Sequence, residues 1–207
     1  MRFAPMITIY AQVVGIVAFT VATLVLGVLI RKTPTKEAAH RLSRVSHTFF
    51  WGAFIVPSFA GFVWPGLTHF DELLGLPSLP WPVARWVLGV PMTLVGVYFS
   101  SSSMRALKSE GSGMMAFQLT QRVVASQVYE RVRNPMSLGL YLQFIGVSLL
   151  VGSTWLLLGS VVLYVPAHIF NLWFFEEREL SARHGPSYDE YRLRVPFLIP
   201  RLVLPSR

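Results

Sequence analysis

The sequence predicts an all-α integral membrane protein with five transmembrane helices, the last two a tight helical hairpin, and a C-terminal cytoplasmic segment. Three observations carry this prediction. Hydrophobic residues make up 53% of the 207 positions and charged residues only 14%, where a soluble domain carries about 25% charged residues. Four long runs hold no charged residue, and about 20 apolar residues in a helix cross a bilayer core. The formal charge of +8 is gathered in alternate gaps between the runs, which lie on one side of them.

The runs come in order. Residues 3–30 are uncharged and close on Arg31-Lys32-Thr33-Pro34, a basic anchor and helix stop. That stretch is too long for a signal-peptide core and no small-residue cleavage pattern follows it, so it reads as a retained span. Residues 31–47 read as a basic loop in which His40 and His47 are solvated. Residues 48–70 form the second run, and 86–104 the third. Between them, 65–82 is rich in Pro and Gly, holds Asp71-Glu72, and reads as an external loop with Trp64 and Trp81 as interfacial anchors. Residues 134–175 are uncharged over 42 positions, enough for two crossings, and Gly152-Ser153-Thr154 divides them near the middle. The runs are continuous rather than alternating, which favours helices over a barrel. Pro57, Pro91 and Pro166 fall inside runs, where neighbouring helices must satisfy the freed carbonyls. Three N-terminal helices in 1–104 and a motif-bearing region in 105–207 are the two parts of the chain.

With five spans, 16 of the 18 basic residues share one side. The positive-inside rule then places the N-terminus outside and the C-terminus in the cytoplasm. The composition excludes a basic face large enough to track nucleic acid. Cysteine is absent, so disulfides, thiolate metal sites and a cysteine nucleophile are excluded, and the five histidines have no metal-ligand spacing. Membrane lipids are expected neighbours; the sequence does not set the oligomeric state.

Reactive residues crowd the second half. Thr8, Gln12, Thr20 and Thr23 in the first run read as helix-packing polar groups, and Ser100 to Ser103 as a fraying helix end. Downstream, a Gly111-Ser-Gly113 loop leads to Gln121-Arg122-Val123-Val124. Tyr129-Glu-Arg131-Val-Arg133-Asn134-Pro135-Met136-Ser137 follows directly before the fourth span, and Glu176-Glu177 ends the fifth. A hairpin brings residues 133–137 and 176–177 to one membrane face. Carboxylates at a membrane boundary need partners, so Glu176 and Glu177 are expected to pair with Arg133 or Arg131, or to bind a cationic ligand. A plain juxtamembrane salt-bridge patch is the alternative.

These blocks resemble the membrane methyltransferases that include isoprenylcysteine carboxyl methyltransferase and the phospholipid methyltransferases. The family pattern is Arg-His/Asn-Pro-x-Tyr, a helical hairpin, Glu-Glu, and a Phe-Gly-x-x-Tyr-x-x-Tyr-x-x-x-Val-Pro-x-x-Pro tail. Arg133-Asn134-Pro135, Glu176-Glu177, then Gly185, Tyr188, Tyr191, Val195-Pro196 and Pro200 fit it in order, over roughly 105–200. The resemblance implies S-adenosylmethionine as cofactor and methyl transfer to a lipophilic acceptor arriving from the bilayer. It assigns Gln121, Arg122, Val123 and Val124 to the adenosine slot, with Tyr129 beside them. Asn134 and Pro135, with Met136 and Ser137 in the same turn, would hold the amino-acid and sulfonium end. Glu176 and Glu177 would face its positive charge, since a carboxylate and aromatic faces favour a cation. Arg133 and Glu177 are the candidate catalytic residues, with Arg131 or Arg133 holding an anionic acceptor. Placing the nucleophile in line with the methyl group supplies most of the catalysis.

The chain departs from the pattern at Gln127, where relatives have Gly before the Tyr. It departs again at Ser137 for Tyr, and at Met114-Met115-Ala116 after Gly113. These departures leave a pseudoenzyme open. A membrane reductase holding NADPH in a related fold is a second reading, though its phosphates call for basic residues where Glu176 and Glu177 stand. A non-enzymatic transport or assembly factor is a third, and the chain lacks the internal repeat common in transporters.

Overall fold

A computed structural model describes residues 3–63, 69–110 and 122–201. Among them every regular element is helical. Three helices are long and apolar enough to cross a membrane, Met6–Lys32, Pro82–Ser109 and Thr154–His184, and a shorter apolar helix spans Pro135–Val151. With the family assignment given below, they make the chain an integral membrane protein.

Helix α1 (Phe3–Lys32) is the central post. Its valines and leucines at 13, 14, 17, 21, 24 and 28 face outward, as a lipid-facing stripe requires, while Ile16, Phe19, Leu26 and Ile30 are buried. Helix α2 (Lys36–Phe49) begins within the stretch that reads as a loop in the sequence. Thr35 caps it by accepting from Ala38 N at 3.2 Å, and Ala39, Leu42, Ser43 and Ser46 lie on one buried face. The helix continues without a break through a π-helical stretch, Phe50–Ile55, into α3 (Val56–Val63). The expected second span therefore extends a charged amphipathic helix and is not among the three long apolar ones. A second π-helical stretch, Gly159–Tyr164, lies in the last long helix. Each of these two contains the residue four before a proline, Ala53 before Pro57 and Val162 before Pro166. A proline supplies no N–H to that carbonyl and crowds it, and a widened turn accommodates the loss.

The segment expected as an external loop holds a short helix among its described residues. Short α4 (His69–Leu74) buries Asp71, whose carboxylate accepts from Thr154 N at 3.0 Å and Trp155 N at 2.7 Å. Those are orphan donors at the start of α7 (Thr154–Leu158, after α5 and α6 below), so Asp71 caps that helix from a distance. Trp81, 76% exposed, ends the segment in a left-handed conformation, φ 56°.

Helix α5 (Pro82–Ser109) packs chiefly on α6 (Pro135–Val151) through glycines at heptad spacing. A Cβ on Gly96 would lie 2.7 Å from Gly139 O, and one on Gly89 2.9 Å from Gly146 O. Only glycine permits this approach, the small-residue packing of membrane helices. Ser100 Oγ accepts from Gln143 Nε2 at 2.8 Å across the same seam. Ser102 and Ser103 are buried well inside α5 rather than at a fraying end, because the helix continues to Ser109.

Gly152, φ 78°, ends α6, and Ser153 caps α7 by accepting from Leu156 N. From α7 the chain passes through Gly159–Tyr164, α8 (Val165–Asn171), a third π-helical stretch at Leu172–Glu176, and α9 (Glu177–His184). No residue of this last π stretch lies four before a proline, and the stretch ends on Glu176. Gly185, φ 62°, then turns the chain into α10 (Pro186–Arg194). Asn171 Nδ2 donates to Thr23 Oγ1 at 2.9 Å, a buried polar tie between α8 and α1.

Candidate functional site

The Arg-Asn-Pro turn, the end of the last long helix and the C-terminal tail meet in one place. Pro135 is fully buried and opens α6, where its missing N–H costs nothing. Asn134 does not cap that helix with its side chain. Its Nδ2 instead donates to Phe197 O at 3.0 Å, and Arg133 N donates to Pro196 O at 2.9 Å. Arg201 N donates to Arg131 O at 3.0 Å. The Val195-Pro196 part of the tail is thus a strap across the turn.

The two tail tyrosines are buried. Tyr191 Oη donates to Tyr129 O at 2.8 Å, and the Tyr188 and Tyr191 rings lie 6.1 Å apart. The Tyr129 phenol lies close to Ser103 of α5. Burial pushes all three phenols well above the usual tyrosine range. The nearby Glu177 and Glu176 carboxylates add to this at Tyr188, and Glu176 and Glu110 at Tyr129. The three hydroxyls are therefore neutral at any physiological pH.

Arg133 and Glu177 form an ion pair, Nη1 to Oε1 at 2.7 Å, with each side chain 11% exposed. The contact lies off the N–H direction. Arg133 Nε and Nη1 and Glu177 Oε1 have no hydrogen-bond partner among the described residues. The Arg133 guanidinium also sits 5.5 Å from the centre of the Phe197 ring. The expected Arg133–Glu177 pairing is present, and charged groups with spare hydrogen-bonding capacity are what a polar ligand needs. Glu176, half-buried, lies within electrostatic reach of Glu177 and Tyr129.

Other expected site residues stand less close. Gln121 and the Gly111 and Gly113 loop lie outside the described residues. Arg122 and Arg131 are exposed, Val123 and Met136 half-buried, and Val124 buried. Two features have no counterpart in the sequence reading. Glu179, 1% exposed, pairs with Arg183 at 3.0 Å within α9, and its i,i+4 spacing is a legible signal. His168, inside the bundle, is 3.0 Å from Tyr141 Oη through Nδ1 and is ringed by Phe19, Phe50 and Phe54. A lone histidine in an uncharged run is itself a flag for an intramembrane polar contact.

Residues 84–186 match the phospholipid methyltransferase family. Through them the chain belongs to that family. The match begins in α5, so the third apolar run is part of the family region and not only an apolar neighbour of it. Methanethiol S-methyltransferase 2 of Bradyrhizobium diazoefficiens is 39% identical over 75 residues, 36% of this chain and 27% of that protein. The alignment thus spans about a quarter of that relative's length. No solved structure matches the chain.

Proposed function

We propose that this phospholipid methyltransferase family member transfers a methyl group from S-adenosylmethionine to an acceptor that reaches it from the bilayer. The observation that carries this is the buried Arg133–Glu177 pair at the Arg-Asn-Pro turn, with the Tyr188–Tyr191 tail packed beside it. When bound, S-adenosylmethionine supplies an electrophilic methyl on a sulfonium. The chain's own residues do the rest. Glu177 offers a carboxylate to a cationic or ammonium group, and Arg133 offers its guanidinium to an anion. Neutral buried tyrosines add ring faces for the cation and exclude water. Asn134 and Pro135 fix the turn that aims Arg133. In this reading five helices cross the membrane, the last two as a hairpin turning at Gly152, with the site on the cytoplasmic face of an inner membrane.

Transfer to a carboxylate, amine or thiolate forms one bond to carbon, breaks the sulfonium C–S bond and leaves a neutral thioether. A lipophilic acceptor such as a prenylcysteine carboxylate or a lipid amine suits a site at a membrane boundary. The named relative favours a second acceptor class, a small thiol. Calorimetric titration in detergent with S-adenosylmethionine is the direct test, with NADPH as the competing ligand. Binding of the first alone is expected; binding of NADPH alone would replace methyl transfer by reduction. A methyl-labelled donor, offered with lipid, prenylcysteine and thiol acceptors, then reads out the substrate class.

A further inference from the structure

A second polar feature sits on the same membrane face, turned away from the Arg133–Glu177 pair. An open cleft of about 460 Å³ lies between the end of α1 and α9, lined by Ile30, Arg31, Pro34, Arg178, Ser181 and Ala182. Two of the six are arginines and none is acidic. Arg31 is fixed in place: its Nη1 donates to Gly27 O at 2.6 Å and Phe174 O at 2.9 Å, and its guanidinium lies 3.9 Å from the Phe174 ring centre. Those bonds use one of its three nitrogens. Arg178 is exposed and makes no ion pair among the described residues. It follows Glu177 by one residue, about 100° around the helix, so the cleft and the methyltransferase-like site open on different sides of α9. The two guanidinium charges are close enough to repel each other, so an anion between them removes a repulsion as well as adding attraction. The Ser181 hydroxyl is already committed to Asp189 Oδ1 at 2.8 Å, so the cleft's recognition is by cations.

We propose that this cleft binds the phosphate head group of an anionic lipid, clamped between Arg31 and Arg178. Guanidinium forks match phosphate oxygens bidentately, and basic pockets beside transmembrane helices recognise anionic head groups. The position selects a lipid over free phosphate. Arg31 stands at the end of the 27-residue apolar helix Met6–Lys32, where head groups lie. The exposed Leu24 and Val28, seven and three residues before Arg31 and so on its face of α1, offer a surface for the acyl chains. The inference rests on the membrane placement of α1 and not on methyl transfer, so it stands or falls separately from the proposed reaction.

Thermal unfolding of the full chain in a neutral detergent tests it, with added phosphatidylglycerol, phosphatidylcholine of the same chains, or inorganic phosphate. Stabilisation by phosphatidylglycerol alone is expected, with the midpoint concentration raised about fivefold in Arg178→Gln and little moved in Arg178→Lys. Native mass spectrometry of the unaltered protein should show phosphatidylglycerol retained over phosphatidylcholine, a readout that needs no variant to fold. Equal stabilisation by inorganic phosphate would make the cleft a free-anion site and overturn the lipid assignment. Equal retention of both lipids, or an unchanged midpoint in Arg178→Gln, would overturn the cleft itself.

Discussion

The ion pair between Arg133 and Glu177 can be taken apart so that its structural and ligand-binding roles separate. Its side chains are 11% exposed and 2.7 Å apart, so Glu177→Gln strands a mostly buried cation and Arg133→Met strands a mostly buried carboxylate. Breaking one side of a buried pair costs about 3–5 kcal/mol. Residual exposure and the Phe197 ring beside Arg133 put each single variant at the lower end, about 3 kcal/mol. For a chain of this size that lowers Tm by about 6–12 °C. The double variant Arg133→Met/Glu177→Gln removes both charges and leaves none stranded, so it should fall within about 1 kcal/mol of the native chain. Thermal unfolding in detergent measures the cycle, and calorimetric titration with S-adenosylmethionine measures binding on the same samples. The double variant should be stable and should not bind. Additivity of the two single effects within about 0.5 kcal/mol would refute the pair as a coupled unit, and native affinity in the stable double variant would refute it as the ligand anchor.

Gly139→Leu should lower stability by at least about 2 kcal/mol, since even a Cβ there would stand 2.6 Å from Gly96 O; a native melting curve would show that α5 and α6 do not pack this way. Asp71→Ala removes the double cap on α7 and should cost about 2 kcal/mol in thermal unfolding. It should leave S-adenosylmethionine titration unchanged, because Glu177 lies at the other end of the Thr154–His184 helix. Gln127→Gly should stabilise by up to about 1 kcal/mol, because Gln127 sits at φ 55°, where a side chain is strained. An equal or lower Tm would mean that the added freedom of the unfolded chain cancels the relief. Single cysteines at Pro34 and Ser206, in a chain that has none of its own, should both resist impermeant labels in intact cells, and labelling of either would reverse the topology.

The uncharged runs made the helices legible because burial in lipid leaves a composition signal that needs no partner. The site was legible for a different reason. Arg133, Asn134 and Glu177 are polar residues placed where a membrane boundary makes them costly, so the sequence marks them even though 43 residues separate Asn134 from Glu177. Interactions made through the backbone left no such mark. Asn134 reads as a cofactor-holding turn residue in sequence, yet its side chain is spent on Phe197 O. Asp71 reads as a loop acid, yet it caps a helix 83 residues further on. Long-range caps follow from tertiary approach, which no local pattern encodes. The Gly89, Gly96, Gly139 and Gly146 seam has regular spacing, but each glycine alone is also a common tolerated residue in a membrane helix, and only the facing pair gives it meaning.

Gln127 and Ser137 show how a departure from a family pattern can be read once its geometry is known. At Gln127 the backbone holds the left-handed conformation that the family's glycine adopts freely. The turn has therefore been kept at an energetic cost, and keeping it presents the Tyr129 carbonyl to Tyr191. At Ser137 the family's aromatic ring is missing. Tyr141 stands one helical turn further along α6, where its Oη meets His168 Nδ1 at 3.0 Å. A serine and a tyrosine four residues apart share one helix face, so the phenol reaches the space that a tyrosine at 137 would line. The left-handed turn at Gln127 and the Arg133–Glu177 ion pair are both present in a chain that carries these two departures.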